Sequence, residues 1–214
     1  MIERYTRPEM GHLWSIQNEW QTILNVEIAA CEAMAELGEI PTAAVENIKK
    51  NARFDVARIN EIEKTTDHDI IAFLTNLEEN VGEDSKYIHK GLTSSDVKDT
   101  AYCVMMRDAA AIILDDLRAF REVLRRRAEE FRHTPCIGRT HGIHAEPMTF
   151  GLKLLLWSAE IERDIERLTR AKEIVSVGKL SGAVGTYSNI DPRIEELTCK
   201  KLGITPVRLA TQVI

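Results

Sequence analysis

The sequence predicts an all-α protein, with a small N-terminal helical domain followed by the first long helices of a helical bundle. Three observations predict it. In 214 residues there are only 11 Gly and 6 Pro, mostly clustered, which leaves long stretches free of helix breakers. Apolar residues in those stretches recur at the three- and four-residue spacing of a helix face. Two of the stretches exceed the usual length of a globular helix, as bundle helices do.

Each element has its own signals. Ser15 is placed to cap a helix running to about Leu37, ended by Gly38 and Pro41. Ile16, Trp20, Ile23, Leu24, Ile28 and Cys31 form its buried stripe. Pro41 stands where a first-turn proline belongs and opens a shorter helix to about Lys50. Asp55 caps a third helix with Val56, Ile59 and Ile62 on one side. Asp67 caps a fourth, carrying Ile70, Ile71, Phe73, Leu74 and Leu77 up to Gly82. From Thr93-Ser94-Ser95-Asp96 no Gly or Pro occurs before Pro135, which allows a helix of about 35 residues, roughly 50 Å long. A second long helix extends from about Met148 to Val177, with Leu152, Leu155, Leu156, Ala159, Ile161, Ile165 and Leu168 among its apolar positions. Pro135 to Pro147 reads as a loop dense in His, Gly and Arg, and Gly178 to Asn189 as a second Gly-rich connection. Thr205 to Ile214 reads as the start of a further element. The change of texture puts a domain boundary near Leu92: residues 1–92 as the N-terminal helical domain, and 93–214 as a partial, truncated bundle domain.

Composition narrows the function classes. Lys plus Arg is 28 and Asp plus Glu is 34, so the net charge is −6 and no overall basic field exists to hold nucleic acid or an anionic membrane. The longest apolar run is Ala109 to Leu114, whereas a spanning helix needs about 20 residues. The charged start, MIERYTRPEM, lacks the apolar core of a secretory signal. Cys31, Cys103, Cys136 and Cys199 form no CxxC pair. Reduced thiols in a cytoplasmic protein are the expectation.

Three patches carry candidate chemistry. In Gly138-Arg139-Thr140-His141-Gly142-Ile143-His144, glycine lets backbone approach a ligand beside a side chain that exchanges protons near neutral pH. A His141/His144 metal clip lacks further ligands at matching spacing, so no metal is expected. His89-Lys90-Gly91-Leu92-Thr93-Ser94-Ser95-Asp96 leads into a helix N-terminus, where open N–H groups and hydroxyls either cradle an oxyanion or simply cap the helix. In Thr65-Thr66-Asp67-His68-Asp69 a histidine lies between two carboxylates that favour its charged form, or else stands as a plain first-turn surface residue.

Together these patches resemble the fumarase/aspartase superfamily of lyases. The resemblance spans the whole chain and rests on Arg4-Tyr5, TTDHD, HKGLTSSDVKDTA, GRTHGIHAEP, GAVGTY and Thr211-Gln212-Val213, in this order. Arg4-Tyr5 and TTDHD favour its purine-nucleotide branch over the argininosuccinate branch. The resemblance implies β-elimination of fumarate from adenylosuccinate, giving AMP, and from the succinylated aminoimidazole carboxamide ribotide of purine synthesis. It implies His141 as general acid and Thr93 and Ser94 as binders of the succinyl carboxylate. Asp67, His68 and Asp69 match a substrate-binding segment, with His68 also a candidate for acid–base help. Arg4 and Tyr5 match nucleotide contacts, Gln212 a substrate-binding amide, and His89 a possible phosphate neighbour.

The superfamily needs no metal or organic cofactor for this reaction and assembles as a homotetramer whose active sites draw on three chains. The superfamily's serine-bearing signature loop, its remaining bundle helices and its C-terminal domain have no counterpart in these residues. The resemblance therefore implies an N-terminal fragment that ends inside a bundle helix and is inactive alone. Two other readings are another fumarate-releasing lyase of the superfamily and a non-catalytic helical interaction protein.

Overall fold

The computed structural model describes residues 2–214. Among them are eight α-helices and two small two-stranded pairings, so the all-α expectation holds. In chain order the helices are α1 (Pro8–Leu13), α2 (Ile16–Glu36), α3 (Thr42–Asn51), α4 (Val56–Thr66), α5 (Asp69–Val81) and α6 (Ser94–Glu130). The antiparallel strands β1 (Pro135–Thr140) and β2 (Ile143–Thr149) follow, and then α7 (Phe150–Val175). Strand β3 (Val177–Gly178), helix α8 (Pro192–Leu202) and strand β4 (Thr205–Pro206), which pairs in parallel with β3, complete the chain.

The chain folds as two compact units: one runs up to Arg107 and includes Val175–Ile214, the other is Asp108–Ile174. This division differs from the single cut at Leu92. Helix α6 is unbroken, so its first turns stay with the first unit, and α8 returns to pack along α2.

In the first unit α2 is buried over a broad face including Trp20, Ile23, Leu24, Val26, Cys31, Ala33 and Met34. Trp20 stacks on Phe73 of α5 at 4.8 Å, and Phe54 meets Phe73 edge-on at 5.9 Å. Ile16, expected on the buried stripe, is exposed because it precedes the part of α2 that other helices cover. Ser15 caps α2 by accepting from the Asn18 N–H at 3.2 Å, and Asp55 caps α4 through the Arg58 N–H at 3.0 Å. Pro41 is the N-cap of α3 rather than its first helical residue. Asp67 does not cap α5: it ends α4 with a left-handed backbone, φ 48°, and His68 is the N-cap of α5.

Helix α8 has clear signals that the long-helix pattern overshadowed: Asp191 caps it through the Arg193 N–H at 2.8 Å, Pro192 opens it, and Gly203 closes it in a left-handed conformation. Residues after Pro206 are not helical, so the expected start of a bundle helix does not form there.

In the second unit α6 and α7 meet through Leu124, Ala128 and Leu154, with Phe131 and Phe150 at 5.3 Å. Gly151 permits this approach, since a Cβ there would stand 2.4 Å from the Ala128 carbonyl oxygen. Of the apolar positions of α7, Leu152, Leu155 and Leu156 are exposed, and Leu154 is buried. Pro135 to Pro147 is largely a β-hairpin rather than a loop.

Candidate active site

The first unit gathers four of the recognised segments around the N-terminal end of α6. Thr93 precedes the helix, and its N–H donates to Asp96 Oδ2 at 2.9 Å, so Asp96 reaches back from the first turn to fasten the entry. Asp96 also accepts from the Ser181 N–H at 3.2 Å and the Gly182 N–H at 3.1 Å, and from Lys179 Nζ at 2.5 Å. Both members of this ion pair are fully buried. Lys179 Nζ donates in addition to the Gly182 carbonyl at 3.0 Å, while Thr100 Oγ1 bridges the Lys179 N–H and carbonyl at 3.0 and 3.1 Å. A charge pair removed from water persists only when its remaining hydrogen-bonding capacity is met, and here backbone groups meet it. The knot ties the Gly-rich segment after β3 to the turn that carries Thr93 and Ser94.

The TTDHD segment reaches the same end from the α4–α5 junction. Asp67 turns the chain, and His68 Nδ1 accepts from the Ile71 N–H at 3.4 Å as N-cap of α5. The opposite ring nitrogen, Nε2, lies 3.5 Å from Ser94 Oγ, although the two residues are 26 apart in sequence. Asp69 accepts from the Ile70 N–H at 2.7 Å and forms an ion pair with Lys98 of α6. Burial alone would push the Asp69 carboxyl up, but Lys98, the Ile70 N–H and His68 outweigh it and hold the carboxyl below its usual value. Asp69 raises the Lys98 ammonium in turn. The result is a helix N-terminus lined by hydroxyls, with an imidazole beside it and a lysine one turn on. Such a terminus offers partial positive charge and donors to a carboxylate.

His89 stands just before this turn with φ 62°. Its N–H donates to Glu27 Oε2 at 2.9 Å, and its Nδ1 lies 2.6 Å from Glu27 Oε1. Gly91 follows, where a Cβ would sit 2.3 Å from the Asn189 carbonyl oxygen, so only glycine lets the two segments touch. Gly185, in GAVGTY, makes the same close approach to the Ala210 carbonyl at 2.3 Å, and the Ile214 N–H donates to Asp99 of α6 at 3.0 Å. The Thr211-Gln212-Val213 segment is thereby held against GAVGTY and the second turn of α6, with Gln212 exposed.

In the second unit, Arg139 pairs with His144 and Thr140 with Ile143, so His141-Gly142 is a two-residue hairpin turn. Both residues have positive φ, 52° and 75°, as the right-handed twist of a hairpin demands. His141 is exposed at the tip. A histidine seldom adopts this backbone, and the hairpin carries its ring at the turn between two paired strands.

Arg4 and Tyr5 lie in a 3-10 turn, Glu3–Tyr5, with the guanidinium 4.8 Å over the exposed ring. Among the described residues, the hydrogen bonds that join the other segments of the first unit do not reach them. Sequence reasoning missed Glu27 and Lys179. A signal for Glu27 existed: it is the one charged residue among Ile23, Leu24, Val26, Ala30 and Cys31 on the buried stripe. Lys179 gave none, because a lysine beside a glycine ordinarily faces water.

A helical scaffold that presents hydroxyls, histidines and glycine-lined backbone at a helix N-terminus and a hairpin tip has the parts of a lyase site. The chain belongs to the lyase family, whose pattern, described simply as Lyase, matches residues 3–213. Over its full 214 residues it is 54% identical to the adenylosuccinate lyase of Synechocystis sp., covering 50% of that protein. It is 51% identical to the adenylosuccinate lyase of Bacillus subtilis, again covering 50%. Among solved structures it is similar to a fumarate lyase from Mesorhizobium sp., with a TM-score of 0.89 and 29% identity over 94% of this chain and 49% of that one. It is equally similar in fold to the 3-carboxy-cis,cis-muconate lactonizing enzyme of Pseudomonas putida, with a TM-score of 0.89 and 28% identity over 95% of this chain and 48% of that one. The chain thus spans about half the length of the curated relatives it matches. Among the described residues no helix is long and apolar enough to cross a membrane.

Proposed function

We propose that this chain carries the carboxylate-binding part and the general acid of an adenylosuccinate lyase. In this reading the complete enzyme is a cytoplasmic homotetramer that acts on adenylosuccinate and on the succinylated aminoimidazole carboxamide ribotide, without a nucleic-acid partner. One observation carries it: TTDHD and TSSD, distant in sequence, meet at the N-terminal end of α6 with His68 Nε2 3.5 Å from Ser94 Oγ.

The chemistry follows from what elimination requires. A base removes a proton from the carbon beside a carboxylate of the succinyl group. The electron pair left behind delocalises onto that carboxylate and then forms the new double bond as the C–N bond breaks. Thr93 and Ser94, with the α6 dipole, stabilise the charge that builds on the carboxylate oxygens. His141, held at the hairpin tip, protonates the departing nitrogen. Asp67, His68 and Asp69 line the succinyl side, with Asp69 kept ionised by Lys98. Arg4 and Tyr5 contact the nucleotide, Arg4 being suited to phosphate. His89 lies on the phosphate side, and Gln212 offers an amide to the substrate. The base comes from a serine loop outside these residues. Proton transfer and charge stabilisation suffice, so the scheme uses no metal or organic cofactor.

The test joins this chain in register to the second half of the Bacillus subtilis relative and follows fumarate release from adenylosuccinate. The chimera is expected to turn over. His141→Ala within it is expected to lower turnover by about 10²-fold or more, the scale of losing a general acid. Near-normal turnover by that variant rejects His141 as the acid.

A further inference from the structure

We infer that Glu27 is the positioning residue of His89: its buried carboxylate holds the ring as an imidazolium, with Nδ1 turned inward and Nε2 on the opposite edge. Glu27 lies on α2 among core side chains and its side chain is 1% exposed, against 15% for His89. Both of its oxygens are used on one residue, Oε2 by the His89 N–H at 2.9 Å and Oε1 by Nδ1 at 2.6 Å. A carboxylate withdrawn from water is costly unless a cation compensates it. Among the described residues the cation in contact with Glu27 is the His89 ring itself. The two contacts fix the backbone of His89, at φ 62°, and its ring together, so the ring has little freedom to turn.

The charged groups facing this ring are few. Glu27 approaches from α2, and Asp96 acts from α6 while paired with Lys179. Burial by itself would lower the His89 pKa, but the bond to Glu27 and the charges of Glu27 and Asp96 outweigh it and raise it. Nδ1 is spent on Glu27, so the donor left for a ligand is Nε2–H. The clamp stands on this geometry alone, and its use against the phosphate of a nucleotide rests on the function proposed above.

The test is NMR of the chain carrying 15N-labelled histidine. Through neutral pH, both His89 nitrogens are expected to be protonated, with a midpoint above the ordinary histidine value of about 6.5. Glu27→Gln keeps the shape and a hydrogen-bonding oxygen but removes the charge. It is expected to move the midpoint down and to bring out a neutral tautomer, with the other histidine signals unmoved. Should this variant not fold, the wild-type titration decides alone. A wild-type midpoint at or below the ordinary value, or a Glu27→Gln midpoint equal to the wild type, overturns the inference. Adding AMP then separates the two ideas. A shift of the Nε2 signal supports the phosphate role, whereas a clamped imidazolium that ignores AMP leaves Glu27 as assigned and gives His89 no phosphate contact within this chain.

Discussion

Among the described residues only Asp67, His89, His141 and Tyr187 combine a side chain with a left-handed backbone, and three of the four lie in the segments that sequence chemistry singles out. Such backbone is retained where the surroundings over-determine it. The Glu27 carboxylate does this for His89, and the hairpin for His141. The His89 shift makes a pH prediction. Its folded pKa is raised above the unfolded value, so the stabilisation is complete below the unfolded value of about 6.5 and is lost as pH rises through the folded one. The thermal stability of the chain is therefore expected to fall as pH rises across that window, and Glu27→Gln to flatten the dependence. A wild-type profile already flat there contradicts the linkage. Ser94 gives a second test at this scale. Its hydroxyl faces His68, while entry to α6 is fastened by Asp96. In the completed enzyme Ser94→Ala is expected to lower kcat/KM by about ten- to a hundredfold, the worth of a hydrogen bond to a charged group. The melting temperature should hardly move, and a large fall in it with normal kcat/KM marks Ser94 as a structural cap.

The helices from α2 to α7 were legible because they carry their own punctuation: Ser15 and Asp55 cap where expected, and α6 begins at the TSSD hydroxyls. The misses have different physical causes, some local and some set by partners distant in sequence. His68, rather than Asp67, caps α5 because Asp67 is used to turn the chain between two helices. The hairpin was hidden by its density of Gly and His, although two extended runs joined by a His-Gly turn are a hairpin signal. The site was legible as segments, since TTDHD, TSSD and GRTHG are local, but the partners of Glu27 and Lys179 lie 62 and 83 residues away in the chain, and for Glu27 the sequence marked only a charge on a buried stripe. Gly151 tests the element scale with a reversal of sign. Gly151 is the second residue of α7, and within a helix Gly→Ala ordinarily stabilises, by up to about 1 kcal/mol in the interior. Here the new Cβ would stand 2.4 Å from the Ala128 carbonyl oxygen and 2.7 Å from the Arg132 backbone, so α6 and α7 must part. Gly151→Ala is expected to destabilise the second unit by about 1–3 kcal/mol in denaturant unfolding, and a gain in stability rejects the close approach.

At the scale of the whole molecule, the second unit leaves many large apolar side chains exposed. Phe120 is 50% exposed, Leu152 55%, Leu156 61% and Ile174 74%, and Trp157 and Val123 add to them. The apolar residues of α7 lie on more than one face, which a two-helix contact through Leu124, Ala128 and Leu154 cannot cover. Large exposed apolar patches on helices are interaction surfaces. The chain is therefore expected to self-associate, with a mass in sedimentation equilibrium above 24.2 kDa that grows with concentration. Replacing Leu152, Leu155 and Leu156 together by Gln, all three already exposed, should shift it toward the monomer without loss of helix signal. The unsubstituted chain is expected to release no fumarate from adenylosuccinate, because it holds the proposed acid and carboxylate cradle but not the serine loop proposed to supply the base. The two results are independent. A monodisperse monomer at every concentration sinks the packing argument and leaves the chemistry standing. Turnover comparable with that of the chimera sinks the assignment of the base to a segment outside these residues, whatever the state of association.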